Sequence, residues 1–170
     1  MERADLLLTI AEIAIAFAGF ASIVSVLGRR RSSDDPRLDA LRLRAMLESA
    51  LTVVVFALAP FIPNAFGLSE AATWRFAAIA FLIWNGIGLV IFRRRTRALA
   101  EQDITPPTRG YVALMLIVEL LLQIPLLAVA LGLFPHVAAA LYLVALLTAL
   151  LQAGIFFMRV VGSLLVAAAE

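Results

Sequence analysis

The sequence predicts an all-α fold, a polytopic bundle of five transmembrane helices with no soluble domain. Three observations lead there. The chain has 170 residues and is 64% hydrophobic, whereas soluble domains are about 45–50% apolar; its mean hydropathy is +1.02. Five stretches reach the ~20 apolar residues that a helix needs to cross the hydrocarbon core. The charged residues gather between those stretches instead of being spread along them.

The first expected span is 6–27. Glu2 and Asp5 precede it against Arg3, and its apolar run exceeds the ~7–15 residues of a leader h-region, so it reads as a spanning helix and not as a cleaved signal. Ala11, Ala14, Ala18, Ala21 and Ser25 repeat at spacings of three and four, and Gly19 narrows the helix further. Small residues let helix backbones approach closely, which places this span centrally in the bundle or at a subunit interface. The charged run RRRSSDDPRLDALRLR follows at 29–44. In it, Asp35 before Pro36 reads as an N-cap with proline at the first helical position, so the second helix is expected to begin in water.

The second span covers 43–66 and carries Pro60, which is expected to kink it. Ser69 reads as the N-cap of the third helix, whose span is 74–92 with Trp74 as an interfacial anchor. Gly86 and Gly88 mark a close helix approach, and Trp84 at mid-membrane reads as packing. A second charged run, RRRTRALAEQDITPPTR, fills 93–109. The fourth span, 111–133, contains Pro125; Gly132 and Pro135 close it and force a tight hairpin, with His136 in the turn, into the fifth span, 137–158. Residues 160–170 are apolar again; they either lie along the interface or extend the fifth span. The whole chain reads as one membrane domain with loops at 28–42 and 93–110.

Orientation follows from arginine placement. Twelve of the 14 basic residues lie in the two charged runs or at Arg159, and only Arg3 and Arg75 fall on the other side. This puts the N-terminus outside, with both loops and the C-terminus in the cytoplasm. Every basic residue is arginine. That usage fits the codon bias of a GC-rich bacterial genome and points to the bacterial inner membrane; arginine also suits bidentate contact with lipid phosphate.

Ionisable groups within spans cost about 2.5–3.5 kcal/mol at a helix centre and are functional candidates for that reason. Three carboxyls occur: Glu12, Glu48 and Glu119. At about 1.5 Å per residue they lie roughly 9 Å, 6–9 Å and 12–15 Å from the nearer end of their spans. Glu48 is four residues after Arg44, so an intrahelical ion pair accounts for it. Glu12 is near enough to the surface to reach headgroup water. Glu119 has no local cation; it must be protonated, bonded to another helix, or facing water. Asn85, Gln123 and Gln152 are its candidate partners, Gln123 lying one turn away on the same face.

No P-loop, dinucleotide-binding, zincin or nucleophile-elbow motif is present. There are no cysteines, one histidine and no aspartate within a span, so no enzyme activity, metal site or cofactor is expected. The charges are too few and too close to apolar spans for nucleic acid. The expected partners are the lipid bilayer and further copies of the chain, with no soluble partner. Two functions stay open. One is an oligomeric channel or transporter subunit for a cation or proton, with Glu119, Glu48, Glu12, Gln123, Asn85 and Gln152 as pathway candidates and Ala11, Ala14, Ala18, Gly19 and Ala21 as packing residues. The other is a non-conducting accessory or scaffold protein whose polar groups only hold helices together.

Overall fold

A computed structural model of the chain describes residues 3–28, 36–100 and 109–166. Among them all regular structure is helical: α1 (Ala4–Gly28), α2 (Pro36–Leu58), the short α3 (Phe61–Ala65), α4 (Glu70–Ala100), α5 (Arg109–Leu131), a single 3-10 turn at Pro135–Val137, and α6 (Ala138–Val166).

Local chemistry explains most boundaries. Proline has no N–H to lose in a first turn, and α2 starts on Pro36; Asp35, its expected cap, lies outside the described residues. Pro60 does more than bend the second apolar stretch. It ends α2 at Leu58, and the chain restarts as α3. Gly67, at φ 75°, then closes α3: its N–H donates to Asn64 O at 3.0 Å and that of Leu68 to Pro63 O at 3.1 Å. These are the paired bonds of a Schellman cap, which needs a left-handed residue. At the start of α4, Ser69 Oγ accepts from the Ala72 N–H at 3.4 Å. Pro125 sits inside a continuous α5. Gly132, at φ 70°, ends that helix with a second Schellman cap, Gly132 N–H to Val129 O at 3.0 Å and Leu133 N–H to Ala128 O at 3.1 Å.

Two expected loops are shorter than the charge pattern implies. Residues 36–42 belong to α2 and residues 93–100 to α4, because arginine, leucine and alanine continue a helix readily beyond an apolar span. Likewise α6 runs unbroken past Arg159 to Val166.

The chain forms two compact units, one of residues 1–59 with 146–170, the other of residues 60–145. In the first, α1 packs along α2. The buried face of α1 is Leu7, Ile10, Ala11 and Ala14; that of α2 is Met46, Ala50, Val53 and Ala57. Ala18 is half-buried, and the side chain of Ala21 lies outside the described residues. Gly19 does not join this face: it is exposed, and a Cβ added there meets open space. It falls about 100° further round the helix than Ala18. Ala14 is fully buried, so Ala14→Leu is expected to overpack the first unit at a cost of about 1–3 kcal/mol. Ala18→Leu, at a half-open position, should cost less. Thermal unfolding in mild detergent checks this ranking; equal stability of Ala14→Leu and parent would place the stripe on a free surface.

In the second unit α4 packs along α5. Tyr142 of α6 is fully buried, its ring centroid 5.5 Å from that of Trp74 and 6.3 Å from that of Phe81. Trp74 is therefore a core residue and not an interfacial anchor; its indole N–H donates to Glu70 Oε1 at 3.3 Å. Trp84, expected to pack, is instead 56% exposed.

Four helical stretches among the described residues are long and apolar enough to cross a membrane: Leu43–Ala65, Glu70–Ile91, Arg109–Leu131 and Pro135–Met158. Only 22–33% of each is buried within the protein. Exposed apolar patches on soluble proteins rarely exceed a few hundred Å², whereas here leucine, isoleucine and phenylalanine cover the outward faces of whole helices. Lipid is the solvent that such faces match, and the chain is built as a multi-pass membrane protein. The expected first span lies on α1, whose side chains from Val24 onward are outside the described residues; it is not among these four.

Candidate functional site

The polar residues of the second unit meet on α4 and α5. Along α4 the buried strip Trp74, Ala78, Phe81 continues at a spacing of four to Asn85, so the amide is carried toward α5. On α5 the strip Val118, Leu122, Leu126, Val129 is buried, and Glu119 stands at its edge with Gln123 one turn on. Asn85 Nδ2 donates to Glu119 Oε1 at 2.9 Å. Gln123 Nε2 donates to the same oxygen at 2.8 Å. All three side chains are half-buried. At about 1.5 Å per residue, Glu119 lies about 15 Å along α5 from Arg109 and about 18 Å from Leu131, the middle of the helix.

This arrangement has a definite chemistry. Two neutral amides orient one carboxyl oxygen, and no described residue bonds to the other. A carboxylate can accept about four hydrogen bonds, so Oε2 retains capacity for a proton, a water or a cation. The bond from Asn85 also ties α4 to α5, which polar side chains in membranes commonly do.

The remaining pathway candidates belong to the first unit. Gln152 is a half-buried residue of α6 within the first unit. Glu48 accepts from Arg44 Nε at 2.6 Å as an i,i+4 pair, the two side chains 52% and 61% exposed. Such exposed helical pairs are worth about 0.3–0.5 kcal/mol. Arg44→Ala and Glu48→Ala are accordingly expected to be non-additive in stability by about that amount; strict additivity in a double-mutant cycle would free Glu48 for another role. Glu12 is exposed, off the buried face of α1, and makes no hydrogen bond with any described residue. His136 is exposed in the 3-10 turn.

Arg75 is a contributor that the sequence reading counted only for topology. Its Nε donates to Ala130 O at 3.3 Å, satisfying a carbonyl at the end of α5. Its guanidinium lies so close to Gly132 that an added Cβ would meet Cζ at 3.3 Å. An arginine 57 positions before a helix-ending glycine is no local signal; the contact exists only once α4 and α5 are paired.

Among the described residues no group of three or more histidines, aspartates or glutamates comes together that could hold a metal ion. Comparison with known proteins finds no matching family model, no matching curated protein and no matching solved structure.

Proposed function

We propose that the chain is one subunit of a small homo-oligomeric channel or transporter for a proton or monovalent cation, and that Asn85, Glu119 and Gln123 line its path. One observation supports this above the rest: a carboxyl at mid-helix has one oxygen fixed by two amides, the other open, and its surroundings only half-buried. A group of this kind facing lipid would be costly, while one facing a wet path can exchange a proton or hold a cation briefly. With so few helices per chain, the path runs between copies related by symmetry. In this reading α1 is the fifth span. The arginine bias orients the chain with its N-terminus outside the bacterial inner membrane.

The scaffold reading rests on a specific contact too, the Asn85–Glu119 bond that joins two helices. Flux separates the two. Purified chain in lipid vesicles is expected to dissipate a gradient of protons or of a monovalent cation; no flux for any of them favours the scaffold. Orientation is tested separately. Reporters fused at Ser32 and Gln102 should read cytoplasmic and one at Ala65 external, and a cytoplasmic signal at Ala65 would reverse the assignment.

A further inference from the structure

Within the first unit, α1 and the C-terminal part of α6 border an open apolar groove of about 260 Å³, lined by Ile13, Ala16, Phe17, Phe20 and Phe157. The ring of Phe157 stands 5.9 Å from that of Phe17 and 6.1 Å from that of Phe20, centroid to centroid, tilted by 55° and 82°. Three aromatic rings thus surround a space with almost no polar lining. Glu12 is one helical turn before Ala16, so its Cβ is about 5–6 Å from that of a groove residue. It is exposed and has no hydrogen-bond partner among the described residues.

We propose that this groove binds a hydrophobic organic monocation, an aryl- or alkyl-substituted ammonium or phosphonium, with Glu12 as the counter-charge. The inference rests on α1 being embedded in the membrane, as in the function proposed above, and it names a class of cargo for that function. The chemistry selects this occupant. An inorganic cation would need several oxygen ligands in place of its water, and beyond the rim carboxyl of Glu12 the groove's side chains offer none. A lipid acyl chain would fill the apolar volume but give the carboxyl of Glu12 at the rim no counter-charge. A cation that carries its own apolar surface satisfies both halves. Its rings or chains occupy the groove, where aromatic faces attract positive charge, and its charged centre stays at the rim beside the carboxylate. The volume sits just below the usual range of about 300–1,000 Å³ for ligand pockets, so the groove holds part of such a molecule and leaves the rest at the rim.

The test uses the full chain in mild detergent with radiolabelled tetraphenylphosphonium as the probe. Saturable binding is expected. Glu12→Gln should weaken it by at least about tenfold, the loss of one charge partner, and Phe157→Leu, which keeps apolar volume but removes a ring, by about two- to fivefold. Both variants should elute like the parent on size exclusion. The neutral triphenylphosphine oxide should displace the probe poorly. Absence of saturable binding overturns the proposal. So does equal affinity in Glu12→Gln, or equal displacement by the neutral compound, either of which assigns the groove to lipid chains. A smaller oligomer for Glu12→Gln together with no cation binding would give the face to a second copy and also overturn it. Glu119→Gln is expected to bind the probe as the parent does. Saturable, Glu12-dependent binding without flux would remove the transport function and keep the site, whereas flux without binding would remove the site alone.

Discussion

Glu119→Gln is expected to fold and assemble like the parent chain and to lose at least about nine-tenths of its cation or proton flux in vesicles, a change of about 1.4 kcal/mol or more in the limiting step. The substitution is nearly isosteric. Glutamine keeps a carbonyl oxygen at the position of Oε1, so the amides of Asn85 and Gln123, now donating at 2.9 and 2.8 Å, keep their acceptor. What disappears is the ionisable oxygen that no described residue engages. A helix-pairing role survives this exchange, because the bond between α4 and α5 is preserved. A role in moving protons or cations does not. Parent-like flux in a folded Glu119→Gln oligomer would make the carboxyl structural. Loss of the oligomer along with flux would also assign it to packing, and Asn85→Ala should then reproduce that loss.

Gly132→Val is expected to destabilise the chain by about 2–4 kcal/mol, which combines the ~1–3 kcal/mol of a non-glycine residue held in the left-handed region with displacement of a neighbour. Two facts coincide at this position. Its φ of 70° is one that a β-branched residue resists, and the Schellman bonds of Gly132 and Leu133 depend on it. The guanidinium of Arg75 also stands close to where a Cβ would be, its Cζ at 3.3 Å, so valine's further carbons crowd it. The side chain would push Arg75 off the carbonyl of Ala130, to which it donates at 3.3 Å, leaving an end of α5 unsatisfied. Arg75→Ala alone should cost about 0.5–1.5 kcal/mol, the net worth of one hydrogen bond. Combined with Gly132→Val it should add less than its separate effect, because the displaced bond is already lost. Unfolding midpoints in detergent or graded denaturant measure all three variants. A Gly132→Val chain as stable as the parent would mean that the α5 cap and the Arg75 contact contribute nothing.

What could be read from the sequence was what is local. Ser69 caps α4 and Gly132 closes α5 because each signal acts within one turn of its own residue. Arg44 finds Glu48 because a spacing of four fixes the contact without any tertiary help. The long apolar stretches announce helices of membrane length for the same reason. Legibility fails where two helices must be placed in register. Asn85, Gln123 and Gln152 were equal candidates to meet Glu119; Asn85 is the interhelical partner because α4 pairs with α5 so as to bring the two to one level. Trp74 has the composition of an interfacial anchor, yet it is buried against Tyr142, a neighbour 68 positions away. Gly19 adds a small residue beside the stripe of α1 but lies off the face that α1 packs. Pro60 was visible as a perturbation; that the helix ends there and restarts as a short α3 closed by Gly67 was not.

The claim that Glu119 faces a wet path is open to a direct measurement, since the chain contains no cysteine and any introduced thiol is unique. Gln123 and Ile124 are adjacent on α5 at the same depth; Gln123 is half-buried beside Glu119, and Ile124 is 61% exposed on the apolar face. Thiol reagents react with the thiolate, which forms in water and not in hydrocarbon. In intact membranes, Gln123→Cys is expected to react with a small water-soluble methanethiosulfonate, and Ile124→Cys to stay unmodified until detergent is added. Gln123→Cys as inert as Ile124→Cys would mean that the Asn85–Glu119–Gln123 cluster is dry, and the transport reading would fall.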